Sequence, residues 1–291
     1  MNYNTESKIW RVGGPLFVYL GVSYGVKFVY SMWIFYQQFH EWDMNAAFNG
    51  LLYTEELINL SMSHSLIMSG IAIIITIPIF LWLMKRDFEY PVNLRKRERV
   101  FQWKKYWKDK DYKAIPVFAL LGVFATLGVS RVMLMLPIDG ILGDYEATMK
   151  AYGMSSPFIQ LIVLGILSPI VEEVLFRGLV YKRLKIYYEA SIAAYISAII
   201  FGIAHFNLIQ GLYAFIMGII FAFVYEKYKS IFAPIIVHLT ANIVVVITGM
   251  NPVSQFIDRF WLIRLAVGIF FIIAFAMTVM YLNKRSEQKE M

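Results

Sequence analysis

Three short segments of the chain hold the residues best able to do chemistry. The first reads S-P-I-V-E-E-V-L-F-R-G and sets Glu172 beside Glu173, with Arg177 following. The second, F-G-I-A-H-F, holds Phe201 and His205. The third, A-P-I-I-V-H-L-T-A-N, holds His238 and Asn242. Residues four apart share a helix face. Glu173 and Arg177 can therefore pair on one stripe and anchor the helix. Glu172 is rotated by about 100° and faces elsewhere. That rotation puts the two carboxylates in different surroundings, the arrangement by which one acid handles protons while its neighbour stays a structural ion. His238 and Asn242 also project from one face, and Phe201 could wall a site around His205. The chain has four histidines. His40 and His64, in or beside the stretch 38–63, need no functional explanation.

These segments sit in an unusual setting. The chain has 291 residues, of which 59% are hydrophobic and 16% charged, and a mean hydropathy of +0.60. A soluble domain carries about a quarter charged residues, so a water-soluble enzyme is excluded. So is a disordered chain, which would be charge-rich and poor in aromatics. The absence of cysteine rules out disulfides, thiolate metal sites and a cysteine nucleophile. A membrane helix needs roughly 20 apolar residues. Eight stretches approach that length: 14–37, 64–84, 114–136, 157–177, 187–206, 210–226, 231–250 and 260–283. The fold class expected is an all-α, polytopic membrane helix bundle. The first apolar run is too long for the core of a cleavable signal peptide, and no cleavage site of small residues follows it.

Charge orients the spans. Residues 85–113 hold eleven Lys or Arg, whereas 38–63 hold none but carry Glu41, Asp43, Glu55 and Glu56. By the positive-inside rule the first loop is cytoplasmic and the second external. Lys182, Arg183 and Lys185, then Lys227 and Lys229, then Lys284, Arg285 and Lys289 mark further cytoplasmic segments. Eight spans with both termini in the cytoplasm satisfy these assignments; Asp258, Arg259 and Arg264 fit least well. The basic loop, with Trp103, Tyr106 and Trp107, reads either as an interfacial helix on anionic lipid or as a solvated loop whose charge serves topology. No nucleic-acid partner is needed to explain the net charge of +7. The organisation expected is an N-terminal three-span region (1–150), a core (151–250), and a last span with its tail (251–291).

An ionisable group inside a span is costly, and by default marks function. Lys27 and Arg131 are single examples that can snorkel or pair. The three motif segments are a convergence of several. At about 1.5 Å per residue, His238 lies roughly 12 Å and Asn242 roughly 18 Å from the cytoplasmic entry of their span, and Glu172 roughly 20 Å from Lys185. His205 comes out deeper, roughly 27 Å from Tyr187; tilt or a break near Gly202 would close that gap. Pro169 and Pro234 are expected kink points whose missing N–H groups free backbone carbonyls.

E-E-x-x-x-R at Glu172–Arg177, F-x-x-x-H at Phe201–His205 and H-x-x-x-N at His238–Asn242, in that order on separate spans, resemble the CPBP family of intramembrane endopeptidases. That family comprises the type II CAAX prenyl endopeptidases and bacteriocin-processing proteins. The likeness covers about 155–245. It implies that Glu172 and His205 activate a water, that His238 and Asn242 stabilise the oxyanion, and that Glu173 and Arg177 hold the geometry. The substrate implied is a membrane-associated peptide or protein, and no cofactor is required. Zinc on Glu172, His205 and His238 is the metal-dependent alternative, although H-E-x-x-H is absent. A non-enzymatic scaffold or self-immunity protein keeping the fold is a further alternative. A transporter is another, but no paired repeats support it. The topology has a direct test, because the chain lacks native cysteines. Asn49→Cys should react with an impermeant maleimide on intact cells, and Asn93→Cys only after permeabilisation. The reverse pattern would invert the orientation.

Overall fold

The computed structural model describes residues 5–40, 52–89, 112–133, 135, 142–249 and 259–290. The acidic stretch around Glu41 and Asp43, most of the basic loop, and Asp258 lie outside them. The described residues are helical, with no strand among them. In chain order the helices are α1 (Thr5–His40), α2 (Leu52–Ser63), α3 (Ser65–Glu89), α4 (Ile115–Met133), α5 (Leu142–Gly153), α6 (Pro157–Leu184), α7 (Ala190–Ile203), α8 (Leu208–Tyr228), α9 (Phe232–Gly249) and α10 (Trp261–Glu290).

Seven of these, namely α1, α3, α4, α6, α8, α9 and α10, are long and apolar enough to cross a bilayer. The remaining apolar stretch, expected at 187–206, forms the shorter α7. Its 14 residues reach about 21 Å, short of a hydrocarbon core of about 30 Å. The helix stops at Ile203 and the chain turns sharply: His205 N–H bonds Gly202 O, and Phe206 N–H bonds Ile203 O. Phe206 adopts a left-handed φ of 52°, a sparsely populated region for a bulky residue. Asn207 then caps α8, its side chain accepting from the Gln210 N–H at 3.0 Å. The break near Gly202 thus places His205 in a turn rather than deep in a span.

Helix α6 is the axis of the bundle. From Val174 to Tyr181 every residue is buried, as expected of a helix that is apolar all round and enclosed by others. By contrast α1 and α10 present Phe28, Trp33, Phe270 and Met277 outward, apolar faces suited to lipid. Association of such helices depends on close backbone approach. At the crossing of α4 and α9, a Cβ on Gly122 would collide with Thr240 Oγ1 and the Val237 carbonyl. Gly202 and Gly211 play the same part between α7 and α8, each facing the other's carbonyl oxygen.

Basic residues that read from sequence as topological charge also tie helix ends together. Arg183 of α6 bonds Asp87 of α3 at 2.6 Å. Lys185 bonds Glu226 of α8 at 2.9 Å, and Lys229 bonds the same carboxylate. The ends of α3, α6 and α8 therefore meet on one side of the bundle. Because the crossing of α4 and α9 leaves no room for a methyl group, Gly122→Ala should cost about 1–3 kcal/mol through overpacking. Thermal unfolding in detergent should show a lowered Tm. Gly21→Ala, where nothing lies within 4 Å of the new Cβ, should leave it unchanged or slightly raised.

Candidate active site

The backbone of α6 is remodelled around the glutamates. Two π-helical stretches, Leu161–Leu167 and Val174–Tyr181, flank the α-helical turn Ser168–Glu173. Such wide turns recur at functional positions. Pro169 supplies the local cause. The Ser168 N–H reaches five residues back to Val163 O, and Pro169 has no N–H to offer. The Leu164 carbonyl is thereby left without a partner in its own helix. Asn242 of α9 takes that role, donating from Nδ2 to Leu164 O at 2.9 Å. The freed carbonyl expected from Pro169 is real, and its partner is one of the motif residues.

The carboxylates occupy distinct environments. Glu173 is fully buried. Its Oε1 accepts from Arg177 Nη1 at 2.8 Å and from His238 Nδ1 at 2.9 Å. Arg177 is also fully buried. Its Nη2 donates to Gly218 O of α8 at 2.9 Å, and its guanidinium lies over the rings of Phe201 and Phe221, 4.9 and 5.1 Å from their centroids. Glu172, with its side chain 15% exposed, accepts a hydrogen bond from Ser168 Oγ at 2.5 Å. Its Oε2 stands 3.6 Å from His238 Nε2. His238 therefore bridges the two carboxylates, and its ring stacks on Phe221 at 4.4 Å and 23°. Since the Glu173 carboxylate can only accept, Nδ1 carries a hydrogen, and Nε2 is the ring atom presented to Glu172.

His205 joins differently. Its Nδ1 bonds Phe201 O at 2.8 Å, which leaves Nε2 as the outward atom. Its ring meets Phe201 edge-on at 4.9 Å, and Phe201 in turn lies 5.8 Å from His238. The Phe201 ring thus stands between the two histidines. The structure thus joins Glu172, Glu173, Arg177 and His238 in one contiguous network, brings in Asn242 through the α6 backbone, and sets His205 across an aromatic partition. Among the described residues no three His, Asp or Glu side chains converge as a metal-binding group. Arg131 packs against Gly268 of α10, and Lys27 lies over the Tyr24 ring at 5.9 Å.

Several participants went unnoticed in the sequence. Ser168, four residues before Glu172, was readable from spacing. Gly218 and Phe221 were not, because a carbonyl and a ring on α8 carry no signature of their own. Tyr152 of α5 is a third case: burial first, and the Glu172 carboxylate second, push its phenol above the ordinary value. Tyr19 of α1 lies in the same electrostatic field of Glu172.

Residues 154–244 match the Rce1-like type II CAAX prenyl endopeptidases. The matched segment contains all six candidate residues and runs from the start of α6 nearly to the end of α9. The chain is 38% identical over 151 residues to YdiL of Bacillus subtilis (strain 168), whose name assigns it provisionally to the membrane peptidases. It is 29% identical over 153 residues to the membrane-embedded CAAX protease MroQ of Staphylococcus aureus (strain USA300). Each match takes in 48% of this chain, with 62% of YdiL and 61% of MroQ. The chain thus spans about three fifths of the length of these relatives. No solved structure matches it significantly. With seven membrane-length helices and these relatives, it is a multi-pass bacterial membrane protein.

The network sorts stability from chemistry. Arg177→Met strands the Glu173 carboxylate in the core and should cost about 3–5 kcal/mol, read as a lower Tm in detergent. Glu172→Gln keeps an acceptor for Ser168 and should leave the Tm within about 2 °C, an effect under about 1 kcal/mol. A large loss of stability in Glu172→Gln would contradict this division.

Proposed function

We propose that the chain is a membrane-embedded endopeptidase of the CAAX-protease type, which hydrolyses a peptide bond by a glutamate-activated water. The single observation that carries this reading is the Ser168–Glu172–His238–Glu173–Arg177 network within a bundle of apolar helices. Water-activating carboxylates need a held geometry and a partner for the charge that develops. The resemblance of residues 154–244 to Rce1-like endopeptidases supports the same class of reaction.

In this mechanism Glu172 takes a proton from a water, which His205 also holds through Nε2. The water oxygen attacks the carbonyl carbon, and the carbonyl electron pair moves to its oxygen. That oxyanion is met by His238 Nε2 and by the second hydrogen on Asn242 Nδ2, the first being committed to Leu164 O. For Nε2 to donate while Nδ1 bonds Glu173, His238 acts as the doubly protonated ring, held between two carboxylates. Glu172 then returns its proton to the departing nitrogen as the C–N bond breaks. Glu173 and Arg177 act through His238 as positioning residues. No metal takes part in these steps.

The substrate is a membrane-associated peptide or protein, such as the precursor of a secreted peptide. The side carrying the basic ends of α3, α6 and α8 faces the cytoplasm, with the start of α1 beside it. The test is cleavage of a panel of membrane-associated peptides by protein purified in detergent. Glu172→Gln should lower the rate by about 10²–10⁴-fold, and His205→Ala should also be impaired, while a strong chelator leaves the wild type unaffected. Loss on chelation with rescue by zinc would replace this mechanism with the metal-dependent one. Full activity in Glu172→Gln would remove the glutamate from the chemistry.

A further inference from the structure

Away from the glutamates, a cavity of about 580 Å³ opens between the start of α1, the end of α3 and the end of α6. Its charged lining comprises Arg11, Arg86, Arg183 and Asp87, three cations against one carboxylate. Asp87 is already engaged by Arg183 Nε at 2.6 Å. Arg183 is itself buried, and its Nη1 donates to Arg11 O at 2.5 Å. It thus fixes the start of α1 against α3. The Arg11 and Arg86 side chains have no acidic partner among the described residues. Arg86 is exposed and lies over the Trp82 ring at 5.2 Å. The site therefore keeps two guanidinium groups, without an acidic partner among the described residues, around a space, which suits a phosphate oxyanion approached from two sides.

The rest of the lining says what carries that phosphate. Pro15 and Val18 of α1 and Leu83 of α3 continue the cavity. They lie inside the membrane-length stretches Lys8–Gln37 and Ser65–Asp87. Val18 is seven residues, or roughly 11 Å, deeper along α1 than Arg11. Trp10, 66% exposed, and Trp82, 57% exposed, stand at the charged end, where amphipathic rings favour the membrane–water boundary. Along α1 the cleft runs from Trp10 and Arg11 at its outer end to Pro15 and Val18 deeper in, and on α3 Arg86, Leu83 and Trp82 lie within about one turn of one another. We propose that this cleft is a binding site for one anionic phospholipid, with its phosphate between Arg11 and Arg86 and an acyl chain along Pro15, Val18 and Leu83. The ligand bridges α1 and α3 at the end of α6, so it clamps the first span to the helix that carries Glu172 and Glu173.

The full chain, purified in detergent and stripped of lipid, would be titrated with phosphatidylglycerol, phosphatidylcholine or sodium phosphate. Tm and lipid adducts in native mass spectrometry would be recorded. Phosphatidylglycerol should raise the Tm and saturate at one tightly held molecule, and the other two should not. In Arg11→Gln/Arg86→Gln the half-saturating concentration should rise about thirty-fold, from two guanidinium contacts at a membrane surface. Lys27→Gln, a cation on α1 outside the cleft, should bind as the wild type does. If the double variant does not fold, Arg86→Gln alone, at an exposed position, should show about a five-fold weakening. Equal response to phosphatidylcholine, an equal shift from sodium phosphate alone, or undiminished phosphatidylglycerol binding in the arginine variants would each overturn the proposal.

Discussion

The site is organised around one buried ion pair. Glu173 and Arg177 face each other inside the bundle with no exposure to solvent. Burying either charge alone would cost several kcal/mol, so the pair forces its surroundings to comply. Arg177 finds Gly218 O and two aromatic faces, and Glu173 finds His238. Together these contacts draw α7, α8 and α9 toward α6. The pair therefore decides where α8 and α9 sit and which nitrogen of His238 is left for Glu172. Its use to the protein is specification of geometry more than net stability.

The second constraint is the backbone of α6. A regular α-helix satisfies its own carbonyls, and would give Asn242 nothing to hold. Pro169, with the wide turn before it, releases the Leu164 carbonyl toward α9. A polar partner from another helix then becomes obligatory, because an unmet carbonyl in an apolar interior is expensive. Asn242 is thereby tied to the helix that carries the carboxylates as a consequence of backbone accounting. The same logic shortens α7: ending it at Ile203 exposes helix-end groups, and the tight turn through His205 and Phe206 holds His205 against the Phe201 ring without its lining a full span.

A membrane chain makes part of this easy to read. Long apolar stretches must be helices, since backbone groups find no water in lipid, and polar residues within them are rare enough to stand out. Glu172, Glu173, Arg177, His238 and Asn242 were legible for that reason, and the Glu173–Arg177 pairing followed from a four-residue spacing. The length of α7 was less legible, because hydropathy records an apolar run whether or not a turn interrupts it. The partners on α8 left no trace at all: Gly218 contributes a carbonyl and Phe221 a ring, both ordinary in an apolar helix.

What the sequence determined by itself was the all-helical class, the membrane setting and the identity of the polar residues, since each rests on local composition or on positions one turn apart. The tertiary structure decided which of those residues meet. Only folding could show that His238 spans both glutamates, that Asn242 is engaged by a carbonyl of α6, and that Phe201 separates the two histidines. Those relations join positions many tens of residues apart. They are settled by how closely helices can pack, at Gly122 against α9 and at Gly202 against Gly211, and by the demand that every buried charge and carbonyl find a partner.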